Sequence, residues 1–298
     1  MHDHAHHDHG PAHGTPLRAL AAALAITGTV FVAEVVGGLL SGSMALLADA
    51  MHMLSDAAGL IISLIAIIVG QKAASATATY GNRRVEVLAA LINAVAVLSI
   101  SVWIVVEAVR RLRDPQPVET APMMVIAVIG LLANAASAWV LSRHREGSIN
   151  VQGAYLHVLV DMFGSVAVLA AGAVISLTGF TGADVVASLV IAALVLPRAW
   201  QLMVRSARVM LEHVPAGFDA DEVEHALRQV DGAMGTHDLH LWSLDGVSVL
   251  ATVHVVAGPG VDRDQLLDRV QDTLAQLGVE HATVQIELPE HIGHEKVC

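Results

Sequence analysis

The sequence predicts an all-α membrane domain of six spanning helices followed by a small α+β domain of order αββαβ. Three observations carry that prediction. The 298-residue chain is 55% hydrophobic, with a mean hydropathy of +0.62 and only 15% charged residues, where a soluble domain carries about 25%. Its apolar residues gather in six long runs, and after Glu212 the texture changes to short amphipathic segments rich in Asp and Glu.

The first 14 residues, MHDHAHHDHGPAHG, hold six histidines and no Lys or Arg. A secretory signal would open on a basic residue and a short apolar core. Here the apolar run from Leu17 to Leu40 is long enough to span, no convincing cleavage site follows, and it reads as a retained first helix. Residues 1–16 are then a tail, read either as a weak metal chelator or as a solvated segment.

A bilayer crossing needs about 20 apolar residues. Runs of that length fall near 17–40, 44–70, 86–109, 121–142, 153–177 and 183–204, within a membrane domain of residues 17–211. The gaps hold breakers: SGS at 41–43, YGN at 80–82, RDPQP at 113–117 and TGFTG at 178–182. An even count puts both termini on one side. That side carries Arg18, Lys72, Arg83, Arg84, Arg143, Arg145, Arg198, Arg205 and Arg208, and the other Arg110, Arg111 and Arg113. Nine against three makes the terminal side cytoplasmic, with the triple-Arg loop running against the rule.

Residues 212–298 form the second domain, long enough for a modest core. DADEVEHALRQV reads as an amphipathic helix, HDLHLWSLDG and VSVLATVHVVA as strands joined at Asp245-Gly246, DRDQLLDRVQDTLAQLG as a helix stopped by Gly278, and HATVQIEL as a third strand. That order suits a sheet with helices on one face. Of the 28 acidic residues, 15 lie after Glu212, against 4 of the 16 basic ones. An acidic domain argues against nucleic acid and is compatible with a cationic ligand. The single cysteine, Cys298, excludes an intrachain disulfide framework.

The apolar runs are not wholly apolar. His52 and Asp56 in the second run, and His157 and Asp161 in the fifth, are each spaced i, i+4 and so lie on one helix face. Entering from opposite sides, each pair lies about 12–18 Å deep at 1.5 Å per residue, so both reach the middle of a core about 30 Å thick. An ionised Asp at that depth costs about 2.5–3.5 kcal/mol, which a divalent cation held by both carboxylates offsets. Two imidazole nitrogens and two carboxylate oxygens make a tetrahedral set suited to Zn²⁺. No thiolate favours Cu(I), and no all-oxygen cage is on offer. A lone H-x-x-x-D in a soluble helix is usually packing, but ionisable groups inside a membrane helix usually serve function.

Asp49 shares the face of His52 and Asp56; it stands behind the ligands, at a gate, or at the loop-facing end. Glu34 is read as a proton relay or a packing residue, and Asn93 and Asn134 as interhelical hydrogen-bonding groups. In the second domain His237, His240, His254, His281 and Glu287 sit on or beside predicted strands. Singly each histidine is ordinary; together they predict a metal site.

The stretches SGSMALLADAMHMLSD, YGNRRVEVLAALINA, GAYLHVLVDMFGS, HDLHLWSL and HATVQIE, in that order from about residue 17 to 290, resemble the cation diffusion facilitator family of heavy-metal transporters. Histidine at both first positions of the paired motif is similar to the zinc-preferring bacterial members. The resemblance implies a ferredoxin-like C-terminal domain, cytoplasmic termini, and a homodimer in the inner membrane exchanging cytoplasmic metal for protons. It implies transport through His52, Asp56, His157 and Asp161. It also implies a zinc-binding, regulatory site at His237, His254 and Glu287, with His281 a further ligand and His240 a weaker one. QKAASATATYGNRR lacks the Asp and His that some members carry in their second cytoplasmic loop, so that site is expected to be absent. Metal needs neutral imidazole and ionised carboxylate, so metal and protons compete for the quartet. The expected activity is therefore Zn²⁺/H⁺ antiport, not enzymatic. The rivals are a membrane metal sensor that does not transport and an intramembrane metalloenzyme. H-E-x-x-H is missing, and four protein ligands leave no open position for catalysis.

Overall fold

The computed structural model describes residues 15–54, 58, 75–142 and 149–291. Its first element, α1, runs over Thr15–Ser41, and α2 is described over Met44–Leu54. Then come α3 (Arg84–Arg113), α4 (Thr120–Ser142), α5 (Ile149–Thr178) and α6 (Gly182–Met210). Among the described residues, four helices are long and apolar enough to cross a membrane, within α3, α4, α5 and α6, while Ala25–Ser41 and Met44–Leu54 are shorter apolar stretches. The second predicted run continues past Leu54 outside the described residues. Arg110, Arg111 and Arg113, read from sequence as a loop, are the last turn of α3. Cations there complement the negative end of the helix dipole.

Two compact units emerge, and the boundaries at 94/95 and 199/200 fall inside α3 and α6. Residues 95–199 group with α1 and α2, while the first turns of α3 and α6 from Trp200 group with the C-terminal sheet. Within the second unit Arg84 pairs with Glu212, and Arg83 donates to Ser248 Oγ at 3.0 Å and lies 3.4 Å from Asp245.

In the helical unit, Met44, Leu46 and Ala48 of α2 pack with Val97 and Ile104 of α3, Met123 and Ala127 of α4, Val168 of α5 and Ile191 of α6. Ser41-Gly42-Ser43 turns α1 into α2 through a left-handed Gly42 at φ 71°, a conformation glycine adopts without a Cβ clash. Three tethers hold this turn. Asp184, at the start of α6, accepts from the Ser43 hydroxyl at 2.5 Å and from the N–H groups of Met44 at 2.7 Å and Ala45 at 3.2 Å. Arg111 donates to the Gly42 carbonyl, and the Glu119 N–H donates to that of Ser41 at 2.9 Å.

The C-terminal unit has α7 (Ala220–Arg228), β1 (Ala233–Ser243), β2 (Val249–Ala257), α8 (Arg263–Gln276) and β3 (His281–Glu287), the αββαβ order expected. Asp219 caps α7, accepting the Asp221 N–H, and Asp262 caps α8, accepting the Asp264 and Gln265 N–H groups. The sheet order is β1-β2-β3, with β1–β2 antiparallel and β2–β3 parallel. Val223, Leu227, Leu266, Val270 and Leu274 of the helices bury one face of the sheet against Ala251, Val253 and Val255. Strand alternation sends the neighbours His254 and Val256, and across from them Gln285 and Glu287, to the other face.

Candidate metal sites

In the helical unit α2 and α5 bring His52 and Asp161 together. His52 Nε2 lies 3.2 Å from Asp161 Oδ1, with side chains only 6% and 7% exposed. Asp56 lies outside the described residues. His157 is on α5 one turn before Asp161, and its side chain is outside them too. One member of each predicted couple is therefore seen, and the two meet.

Behind this contact stands a run of buried polar groups. Asp49, one turn before His52, is 2% exposed, so it is not a loop-facing residue. A Cβ at Gly164 of α5 would collide with Asp49 Oδ1, and Ser165 Oγ donates to Asp49 Oδ2 at 3.5 Å. Ser165 and Glu34 both border Gly130 of α4, where a Cβ would lie 3.4 Å from Ser165 Oγ and 2.9 Å from Glu34 Oε1. Glu34 is fully buried, and neither carboxylate oxygen finds a hydrogen-bond partner among the described residues. The glycines make room for the carboxylates. Asn134 is buried on α4, and Asn93 Nδ2 has no hydrogen-bond partner among the described residues.

In the C-terminal unit His237, His254 and Glu287 offer ligand atoms all within 4.8 Å of one another. His254 Nδ1 is 2.9 Å from Glu287 Oε1 and His237 Nε2 is 3.2 Å from Glu287 Oε2. The imidazoles meet edge to face with centroids 5.1 Å apart. Two imidazoles and a buried carboxylate fit zinc as a three-ligand set with one position open. The cluster depends on an irregularity of β1. His237 pairs with His254 but His240 with Thr252, so β1 carries one extra residue at 238–239, with Asp238 at φ 52°. Leu241 is buried in the core. In a regular strand His237, four residues earlier, would share its face. The bulge sends His237 across to the open face.

His281 and His240 do not join that cluster. His281 is exposed at the opposite end of β3 from Glu287, about 20 Å away at roughly 3.3 Å per residue, and its ring meets Tyr80 edge-on at 6.4 Å. His240 Nε2 lies 3.1 Å from Asp238 Oδ1 and lines a cavity of about 730 Å³ with Tyr80, Arg83, Arg84, Glu212 and Trp242. Nearby, burial alone would raise the Asp245 carboxyl. The Ser248 and Val247 N–H groups, the Ser248 hydroxyl and Arg83 outweigh burial and hold it below its usual range.

A helical domain of membrane-crossing length, with imidazole and carboxylate in contact inside it, and a sheet domain with a His/His/Glu cluster define an integral membrane protein equipped for cations. The chain belongs to the cation diffusion facilitator family, whose members are transporters and not enzymes. Residues 20–211 match the cation efflux transmembrane domain and residues 215–289 the cytoplasmic domain of cation efflux proteins. It is 40% identical over 284 residues to the metal cation efflux system protein CzcD of Cupriavidus metallidurans, covering 95% of this chain and 89% of that one. It is 40% identical over 289 residues to the zinc transporter ZitB of Escherichia coli K12, covering 96% and 92%. It is 34% identical over 290 residues to a cadmium, cobalt and zinc/H(+)-K(+) antiporter of Bacillus velezensis, covering 96% and 93%.

Proposed function

We propose that the chain exports divalent metal, zinc foremost, from the cytoplasm in exchange for protons, through His52, Asp56, His157 and Asp161. The observation that carries this reading is the 3.2 Å contact of His52 and Asp161 between two buried helix faces. A dication between those groups offsets the insertion penalty of the carboxylates. The i, i+4 spacing supports Asp56 and His157 as the remaining ligands. Zinc is favoured by this donor set and by the relatives' names. Protons compete with metal for the same imidazoles and carboxylates, so an inward proton gradient helps to discharge the metal outside. Alternating access then turns the quartet toward one side at a time.

The reading includes six spanning helices in residues 17–211, a His-rich tail over 1–16 and a ferredoxin-like domain over 212–298. It also places both termini in the cytoplasm of a homodimer in the inner membrane. His237, His254 and Glu287 would bind cytoplasmic zinc and tighten that dimer. A spin-label distance across the dimer that ignores zinc in both wild type and Glu287→Gln would sink the regulatory part.

The test of transport is zinc uptake into inside-out vesicles, with and without a pH gradient. Wild type takes up zinc, faster with the gradient, and Asp161→Ala does not. Equal uptake by both removes the site, and no uptake of any divalent metal by wild type removes the transporter in favour of a sensor.

A further inference from the structure

At one end of the helical unit α1, α2, α3, α4 and α6 are tied together. The turn at 41–43 is bonded to α6 through Asp184, to α3 through Arg111, which also reaches Glu107 at 3.4 Å, and to α4 through the Glu119 N–H. The centre of this tie is out of water: Ser43 and Ala45 are fully buried, and Ser41 and Asp184 are no more than 2% exposed. The α1 and α2 helices also meet closely here, since a Cβ at Gly38 would lie 2.8 Å from the Leu47 side chain. Pulling the tie apart would strand a buried carboxylate and two buried backbone donors, the costly form of a broken hydrogen bond.

The contact of α2 with α5 is of another kind. Ser165 donates to Asp49 at 3.5 Å, the long limit of a hydrogen bond, and His52 meets Asp161 at 3.2 Å. An imidazole and a carboxylate change partners whenever metal or a proton arrives. Toward the tied end α5 keeps to itself. The Ser176 and Thr178 hydroxyls donate to the Ala173 and Val174 carbonyls of their own helix at 2.9 and 2.6 Å. Leu177 is 84% exposed, and Gly179, at φ 71°, follows the end of the helix. Among the described residues no hydrogen bond joins the last turn of α5 to the turn at 41–43, to α3 or to α4. Its contact with α4 is apolar there, Gly172 against Met124, the kind of packing along which helices slide.

We propose that Asp184 is the positioning residue of α2: it keeps the Met44 end of α2 docked on α6 in both the inward- and the outward-facing state, and the quartet opens outward by α5 drawing away from α2. The proposal rests on the transport reading above, in which the Gly42 turn faces the outside. His52 follows Met44 by eight residues, about 12 Å along the helix at 1.5 Å per residue. With its outer end fixed, α2 presents His52 at a set depth and angle while Asp161 approaches or withdraws. The helices that share the tie are the stationary side of the site, and α5 is the moving one.

The experiment uses the full chain carrying Cys298→Ser, Ser43→Cys and Asp184→Cys, with a short reducible cross-linker to join the two new thiols. Zinc uptake is read in inside-out vesicles and zinc affinity by chelator competition. Without the cross-link the tie is lost, and affinity falls about 10–100-fold, the scale for removing a group that orients a ligand. With it, affinity recovers and uptake rises, because the joined ends do not part during the cycle. Uptake that is unchanged on cross-linking, or lost and restored by reductant, overturns the proposal, the latter by making this end a gate. Wild-type affinity without the cross-link overturns it too. If the double variant does not fold, spin labels beside an intact tie decide, placed at exposed Leu40 and Val186 or at exposed Leu40 and Leu177 and diluted with unlabelled chain. Zinc must leave the distance from Leu40 to Val186 unchanged and shift that from Leu40 to Leu177. A shift in the first pair, or in neither, refutes the assignment. Wild-type vesicles that take up no zinc remove the transport reading itself, a failure read without any variant.

Discussion

Replacing Asp184 with alanine tests how firmly α2, and His52 with it, is held. The Asp184 carboxylate is 1% exposed and accepts from Ser43 Oγ at 2.5 Å, Met44 N at 2.7 Å and Ala45 N at 3.2 Å. It serves as the N-terminal cap of α2 supplied from another helix. Bonds to a charged group contribute about 1.5–3 kcal/mol each, and losing a helix cap costs about 0.5–2 kcal/mol. The Ser43 hydroxyl keeps a second use, accepting the Leu46 N–H at 3.2 Å, so part of the capping survives. The net loss is then about 3–5 kcal/mol, set chiefly by the two backbone donors left buried. Asp184→Asn, which keeps one acceptor but turns amide hydrogens toward Met44 N, recovers roughly half. The assay is reversible unfolding in mixed micelles with chelator present, followed by tryptophan fluorescence, so that metal binding plays no part. A change below about 1 kcal/mol, the value of an exposed pair, would show that water or the serines already satisfy the turn.

Two further outcomes follow from the packing and charge described. Gly164→Ala forces a methyl group into Asp49; overpacking costs about 1–3 kcal/mol, and zinc uptake in vesicles falls although every ligand is intact, whereas wild-type uptake would mean that Asp49 has room to move. Asp245 is held below its usual range in the folded chain, so its contribution to stability is fully present above about pH 4 and is lost as pH falls through the folded value. Asp245→Asn therefore destabilises the full chain at pH 7 and converges on wild type in acid; a gap that widens below pH 4 contradicts the hydrogen-bond pattern.

Much of this architecture is legible in the residues because its signals are local. The apolar runs near 121–142 and 153–177 announce helices seen at Thr120–Ser142 and Ile149–Thr178, since length and apolarity belong to the segment itself. The same holds for the amphipathic segments that form α7 and α8 and for the turn at Asp245-Gly246. The contact of His52 with Asp161 follows from helix periodicity and matched depth. What is not legible is pairing at long range. The role of Asp184 has no local signal beyond a carboxylate just inside an apolar run, because its partners lie about 140 residues away. Arg111 reads as loop because its target, the Gly42 carbonyl in the turn between α1 and α2, lies 69 residues away. Gly130 and Gly164 look like generic small residues of membrane packing until their neighbours are known. Strand arithmetic alone would have separated His281 from Glu287, since both ends of β3 are marked in the sequence.

The extra residue at 238–239 of β1 carries a lesson about reading relatives of this chain. Side-chain facing in a strand depends on counting parity, so removing one residue there forces a choice: His237 turns inward under α7 and α8, or Leu241 and Ser243 are evicted from the interior. A shortened version would retain His237, His254 and Glu287 letter for letter and still scatter them. Spacing, and not ligand identity, is what an alignment across this strand should be scored on.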